Sequence, residues 1–383
     1  MPTVPSRLPA IGTNVFSTMS ALAVEHDAVN LGQGFPDFHC DPQLVDLVHQ
    51  SMLAGQNQYP PMPGVAPLRA AIAAKVDSLY GKRYDPHTEI TVTSGASEAI
   101  MCAILCSVGP GDEVIIIEPA YDCYLPAILL AGGKVVTVSM QLGEQGFTVP
   151  WDLVAAAVSA RTRMVVINSP HNPTGAILRQ ADLDALADIV AGTDILILSD
   201  EVYEHMVYDG QQHVSVAGHA RLAERAFVVS SFGKTYHVTG WKVGYVLAPA
   251  AMSAELRKVH QYNVFTVNTP MQHGIAAYMA DPQPYLDLPA FYQHKRDLFR
   301  AGLDNTRFTL LPADGTYFQC VRYDAISPLP ELEFAKWLTA EIKVAAIPLA
   351  SFYVGGKEQG IVRFCFAKQD ATLELALARL ARV

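Results

Sequence analysis

Two patterns of apolar residues alternate along this chain. Short, unbroken, β-branched runs give way to longer segments whose apolar residues return every three or four positions. "EITVT" (89–93) is followed by "SGASEAIMCAILCSV", a helical pattern that stops at Gly109-Pro110. "EVIIIE" (113–118), a helix at 121–131 and "KVVTVSM" (134–140) come next. "RMVVIN", "DILILSD", "AFVVSS" and "VGYVLA" complete a set of seven predicted strands between about residues 88 and 248. Runs of this length, apolar on both alternations, fit strands covered on both faces, as in a parallel sheet wrapped by helices.

Beyond about residue 280 the texture changes. "RFTLL", "GTYFQCV", "VAAIPL" and "VRFCFA" read as strands, spaced by helices such as "ELEFAKWLTAEI". A long helical stretch over 275–305 is expected to bridge the two regions. The pattern therefore predicts a large α/β domain over 45–280 and a smaller α+β domain built from 1–44 and 281–383.

Composition narrows the partners. The 383 residues are 50% hydrophobic and 17% charged, which fits a large packed core. Net charge is −10, from 37 acids against 27 bases, with no basic run, so nucleic acid and anionic membrane are poor partners. The N-terminus shows no apolar signal core, and no apolar stretch approaches the ~18 residues of a membrane span. Six cysteines (40, 102, 106, 123, 320 and 365) are scattered without a CxxC, which predicts reduced thiols and a cytoplasmic protein. Cys102 and Cys106, one turn apart, look like half a metal site, but no nearby histidine completes it in sequence; core packing and no metal is the expectation.

In open α/β sheets, ligands bind outside the carboxyl ends of the strands. The polar residues collected there are Ser94-Gly95-Ala96-Ser97-Glu98, Tyr121, Asn172, Asp200-Glu201, Tyr203, Ser231 and Lys234. Two familiar phosphate motifs fail. "FGKT" ends like a P-loop, but Val228 stands where the first glycine belongs; "LGQGFPDF" lacks the third glycine of a dinucleotide fingerprint and its βαβ setting.

Pyridoxal phosphate fits what remains. It needs a lysine for a Schiff base, an acid facing the pyridinium nitrogen and a phosphate cup. Lys234, after a buried strand, supplies the first, and Asp200 the second. "TSGASE" opens a helix whose free N–H groups favour a phosphate, with Gly95 allowing close approach and Ser231 and Lys242 adding a hydroxyl and a charge. Tyr121 would stack on the ring, and Asn172 and Tyr203 would reach its 3-oxygen. Taken singly, each residue has a plainer explanation: Ser94 and Glu98 cap a helix, Tyr121 packs in the core, Asp200 ends a strand and Lys242 snorkels. Those explanations are independent, whereas the cofactor reading requires all of these residues at one sheet edge in this order, and it is the conjunction that decides.

"NPTG", "SDEVYEHMVY", "SSFGKTYHVTGWKVGY" and "VRFCFA", in this order, resemble the class I aminotransferases of PLP fold type I. "VNLGQGFPDF", "NQYPPMPGVAPLR", "TSGASEAI" and "EPAYDCY" are similar to the branch holding kynurenine/glutamine transaminases and bacterial methionine aminotransferases. The resemblance runs from about residue 12 to the C-terminus. It implies Lys234 as Schiff-base lysine and acid/base, Asp200 on the pyridine nitrogen, and Tyr203 and Asn172 on the 3-oxygen. Gly95, Ala96, Ser97, Ser231 and Lys242 would hold the phosphate, and Tyr59 would reach it from the second subunit of a homodimer. Arg363, helped by Gly34 and Asn172, would clamp the substrate carboxylate. Phe16, Tyr124, Phe352 and the partner's Phe265 would line the side-chain pocket. In the kynurenine transaminases a histidine tends to follow that phenylalanine; here Thr266 does, which points toward methionine and aromatic donors.

The alternative within the branch is a kynurenine/glutamine transaminase with cysteine-conjugate C–S β-lyase activity, which released pyruvate or ammonia would reveal. A PLP-dependent transcription regulator needs an N-terminal helix-turn-helix domain, and only about 30 residues precede "LGQGF". A structural protein without chemistry would not be expected to hold Lys234, Asp200, Tyr203 and Arg363 together.

Overall fold

The structure is a computed structural model and describes residues 4–9, 11, 12 and 14–383. Its centre is a seven-stranded sheet of β1 (Ile90–Thr93), β2 (Glu113–Glu118), β3 (Lys134–Ser139), β4 (Thr162–Asn168), β5 (Leu196–Asp200), β6 (Ala226–Ser231) and β7 (Gly244–Leu247). They lie in the order β1-β7-β6-β5-β4-β2-β3. Strand β7 is antiparallel to β1 and β6, and the other neighbours are parallel. The unbroken apolar runs have the expected cause. In β2, Val114 and Ile116 enter one core and Ile115 and Ile117 the other; β4 divides Met164 and Val166 from Val165 and Ile167 in the same way. Both faces are buried, so alternation disappears from the sequence.

Because the parallel strands run one way, the carboxyl ends of β4, β5 and β6 lie side by side. Asn168 pairs with Asp200, and Asp200 with Val229. The start of β7 and the end of β1 reach the same edge, where Gly244 stands opposite both Thr93 and Ser231.

A second sheet comprises β8 (Thr309–Leu310), β9 (Phe318–Arg322), β10 (Ile347–Pro348) and β11 (Ile361–Cys365), antiparallel in the order β8-β9-β11-β10. The N-terminal segment joins this region: Val29–Asn30 pairs in parallel with Val344–Ala345. "VAAIPL" is therefore not one strand, since its two halves serve two different sheets. A hairpin over Gln141–Gly143 and Gly146–Thr148 carries no distinct apolar signal in the sequence.

The helix expected over 275–305 is three pieces, Thr269–Tyr278, Gln283–Leu286 and Leu288–Leu303. Pro282, Pro284 and Pro289 fall at its breaks; each lacks an N–H and restricts the residue before it. The helix expected from 121 begins at Tyr124 and ends at Ala131. Among the described residues, no helix is long and apolar enough to cross a membrane.

Candidate active site

The converging strand ends open into a cavity of ≈ 330 Å³ between the two sheets. Gly95, Asn172, Asp200, Lys234, Lys242 and Arg363 all line it, as do Ala96, Ser97, Tyr121, Tyr203 and Ser231. Segments nearly 270 residues apart in sequence are thus gathered at one place.

Lys234 sits on the single helical turn Phe232–Thr235 that follows β6. Ser231 caps this turn by accepting the Gly233 N–H at 3.3 Å. The Lys234 ammonium donates to the Gly34 carbonyl at 3.1 Å and to the Tyr317 hydroxyl at 2.8 Å. The side chain keeps some exposure to the cavity, but the amine is walled in by protein. Burial lowers its pKa to about 8, and Arg363 and Lys242 push the same way. The amine can therefore lose its proton near neutral pH.

Asp200 ends β5 and is buried. Burial pushes its carboxyl up to about 6, against the opposing pull of a Tyr124 hydrogen bond, the Val202 N–H and the Lys234 charge. The Tyr124 hydroxyl donates to Oδ2 at 2.7 Å and the Val202 N–H reaches Oδ1 at 3.3 Å. Tyr124 thus does not face the cavity: its phenol is turned inward onto Asp200, and its ring is buried beside Tyr121 at 5.8 Å between centroids. The sequence expectation that Tyr124 lines a side-chain pocket is corrected accordingly.

Gly95 opens the helix Gly95–Ser107 with a φ of +73°, and a Cβ there would come within 3.3 Å of the Lys242 Cε and Nζ. The free N–H groups of that first turn, the Ser97 and Ser231 hydroxyls and the Lys242 ammonium form a cup suited to an anion. Ser94 caps this helix in reverse: its N–H donates to Glu98 Oε2 at 3.1 Å, and its own side chain makes no cap bond.

Arg363, on β11, is the largest fully buried side chain. Nη1 donates to Asn172 Oδ1 at 2.6 Å and Nη2 to the Gly32 carbonyl at 3.1 Å, while Nε has no partner. The guanidinium lies 3.8 Å from the Phe318 ring centroid, 5.0 Å from Phe352 and 5.4 Å from Phe16. An orphaned N–H on a buried guanidinium at a cavity wall is a place for a carboxylate. Gly34 is pinned from behind, since a Cβ would stand 2.9 Å from Phe318 Cζ.

Tyr59 and Phe265 lie outside this cavity. They face each other at 5.3 Å between centroids, and Tyr59 is 82% exposed. Phe352 is buried and lines an adjoining chamber rather than the cavity itself.

Several site residues carried no recognisable sequence signal. Tyr317 and Phe318, which hold Lys234 and Arg363, were legible only as part of a strand. Asn168 Oδ1 accepts the Asn172 N–H at 2.8 Å and so fixes the loop after β4. Cys102 does have a histidine beside it: His260 Nδ1 lies 2.9 Å from Glu98 Oε1, to which the Cys102 thiol donates at 2.8 Å. The three form one buried hydrogen-bonded cluster that ties the anion-cup helix to the helix Ala250–Asn263. Only the fold brings residues 162 positions apart into contact.

Residues 26–380 match the family model of aminotransferase class I and II. The chain is 50% identical to the methionine aminotransferase of Escherichia coli K12 over all of its own length and 99% of that protein. It is 36% identical to the mouse kynurenine–oxoglutarate transaminase 1, over 98% of this chain and 96% of that one. A solved structure of an Escherichia coli protein with a methionine aminotransferase function superposes with a TM-score of 0.97 at 50% identity, covering both chains fully. With the lysine, the acid and the buried arginine around one cavity, these likenesses show that the chain belongs to the class I and II aminotransferases and is a transferase of the aspartate aminotransferase-like fold.

Proposed function

We propose that this aminotransferase works with pyridoxal 5′-phosphate and moves the amino group of methionine, and of aromatic and other apolar amino acids, to a 2-oxo acid. One observation carries the reading: a lysine amine with a pKa brought down to about 8 shares a cavity with a buried carboxylate at the end of one strand and an arginine with a free N–H in the middle of a strand of the second sheet.

The residues present fit the cofactor. The space over Gly95 that a Cβ would crowd against Lys242, together with the N–H groups of a 13-residue helix, suits a phosphate. Ala96, Ser97 and Ser231 complete that cup. Asp200, raised to about 6 by burial, gains from a cationic N–H partner such as a ring nitrogen. Asn172 and Tyr203 would meet the 3-oxygen, and Tyr121, half-buried on the cavity wall, would cover the ring. When bound, the cofactor supplies an electron-withdrawing ring that stabilises negative charge at the substrate α-carbon.

The chain's own residues do the rest. Lys234 would give the covalent attachment and, as a neutral amine, would serve as the base and then the acid that moves the substrate's α-proton. Tyr317 and the Gly34 carbonyl hold that amine in place. Arg363 takes the α-carboxylate through Nε and Nη, oriented by Asn172, and the Phe318 ring beneath the guanidinium keeps water from it. Tyr124 keeps Asp200 ionised.

Phe16 and Phe352 flank Arg363 and favour a thioether or aromatic side chain, in line with the likeness to the Escherichia coli enzyme. Thr266 after Phe265 and the lower likeness to the kynurenine enzyme weigh against kynurenine. We read the exposed Tyr59–Phe265 pair as groups lent to the cavity of a second subunit in a homodimer. Residues 1–44 and 281–383 would form the small domain and 45–280 the large one, in a cytoplasmic enzyme. A donor panel at fixed oxo acid tests the preference: kcat/KM for methionine should exceed that for aspartate by at least ~100-fold, because an unpaired buried carboxylate costs several kcal/mol. Aspartate at the top with methionine at background would overturn it.

A further inference from the structure

The cavity does not end at Arg363. Asn14, Phe16, Tyr121 and Asp122 form a wall shared with a second chamber of ≈ 500 Å³. That outer chamber is lined by apolar groups such as Ile11, Val15, Leu125, Pro126 and Phe352, and among the described residues its lining holds no lysine, arginine or histidine. Among the described residues its one acidic group is Asp122, half-buried at the junction. Asp122 is held in place: Asn14, the N-cap of helix Val15–Glu25, donates from Nδ2 to Asp122 Oδ2 at 2.6 Å. The amide donor suits an ionised carboxylate, and Arg363 adds a favourable field, against the burial that raises the carboxyl's pKa.

Asp122 lines both the inner cavity that holds Arg363 and the outer chamber, so a substrate side chain that runs outward from Arg363 into that chamber passes it. An outward-running side chain meets a fixed negative charge first and an apolar chamber next. From this placement we propose that Asp122 is a specificity-determining residue, a charge filter that rejects substrates carrying a second carboxylate and passes neutral side chains of the same length. The filter works by repulsion rather than by a new attraction, which is how discrimination is obtained when an apolar pocket alone tolerates near-isosteres. Because donor and acceptor take turns in one site, the same filter acts on the dicarboxylate oxo acids. The inference rests on the proposed aminotransferase site, but not on methionine being the preferred donor.

Glutamate and glutamine are the sharpest probes, since they share length and differ in charge. For the holoenzyme, Asp122→Asn keeps the side-chain shape and can still accept from Asn14. It should raise the ratio of kcat/KM for glutamate to that for glutamine by about tenfold or more, as expected for removing one like charge at partial burial. Asp122→Glu keeps the charge and should leave the ratio low. Calorimetric binding of glutarate against its monoamide gives a readout that needs no turnover and should follow the same order. An unchanged ratio in Asp122→Asn, or an equal rise in Asp122→Glu, overturns the proposal. Should the wild type turn over no neutral amino acid, the donor preference fails while the glutarate ratio still decides the role of Asp122.

Discussion

Replacing Tyr124 by phenylalanine tests how the chain keeps Asp200 usable. Asp200 is buried, and burial alone drives its carboxyl well above the ordinary aspartate range; the result, about 6, already includes the lowering effect of Tyr124. The phenol donates to Oδ2 at 2.7 Å, leaving the Val202 N–H at 3.3 Å as the other hydrogen bond to the carboxylate. A hydrogen bond to a charged group is worth about 1.5–3 kcal/mol. Its loss should raise the Asp200 pKa by about one to two units, at 1.36 kcal/mol per unit. Ionised Asp200 is the working form, so activity is lost as pH falls through its pKa, and the acid limb of kcat/KM moves to higher pH in Tyr124→Phe. Stability follows the same linkage. A carboxyl raised on folding contributes most below its unfolded pKa and loses that contribution as pH rises through the folded one, so the cofactor-free variant should be weakened near pH 8 and nearly unaffected near pH 5. The assay is a pH profile of kcat/KM from 5.5 to 9.5 beside wild type. A uniform loss at every pH, or an unmoved acid limb, would refute the assignment of Tyr124 to Asp200.

Two further substitutions probe the same cavity. Asp200→Ala should lower kcat by at least ~10²-fold at all pH values, since preorganised charge of this kind is worth a few kcal/mol; near-normal turnover would make Asp200 a strand terminator only. Arg363→Lys loses the fork that reaches Asn172, Gly32 and a carboxylate together, and should weaken every amino acid and oxo acid alike, by about 10- to 100-fold in KM; a change confined to one side chain would move Arg363 into the side-chain pocket.

Much of this architecture was legible because a sheet covered on both faces writes itself as unbroken apolar runs, and ligands collect where such runs end. Asp200 ends a strand and Gly95, Asn172 and Lys234 lie a few residues past one, so sequence order pointed to one edge. Tyr124 was misjudged for a physical reason: an aromatic with a hydroxyl three residues after Tyr121 suits a pocket wall or a buried acid equally, and only the start of the helix at 124 turns it inward. Tyr317 and Phe318 stayed hidden because they meet Lys234 and Arg363 through contacts between segments far apart in the chain, Phe318 and Arg363 from neighbouring strands of the second sheet, which no local pattern encodes. His260 beside Glu98 is invisible for the same reason. The break in the expected 275–305 helix was present in the sequence, in three prolines that the apolar period had masked.

Among these tests, the identity of the cofactor-bearing lysine bears most directly on the account. The purified protein, supplied with pyridoxal 5′-phosphate, is reduced with borohydride, digested and mapped by mass spectrometry. The reduced adduct should sit on Lys234 alone, with the protein absorbing in the near-ultraviolet to violet beforehand, and Lys234→Ala should show neither the adduct nor transamination while remaining folded. An adduct on Lys242 or another lysine, or no bound cofactor after reconstitution, would contradict it.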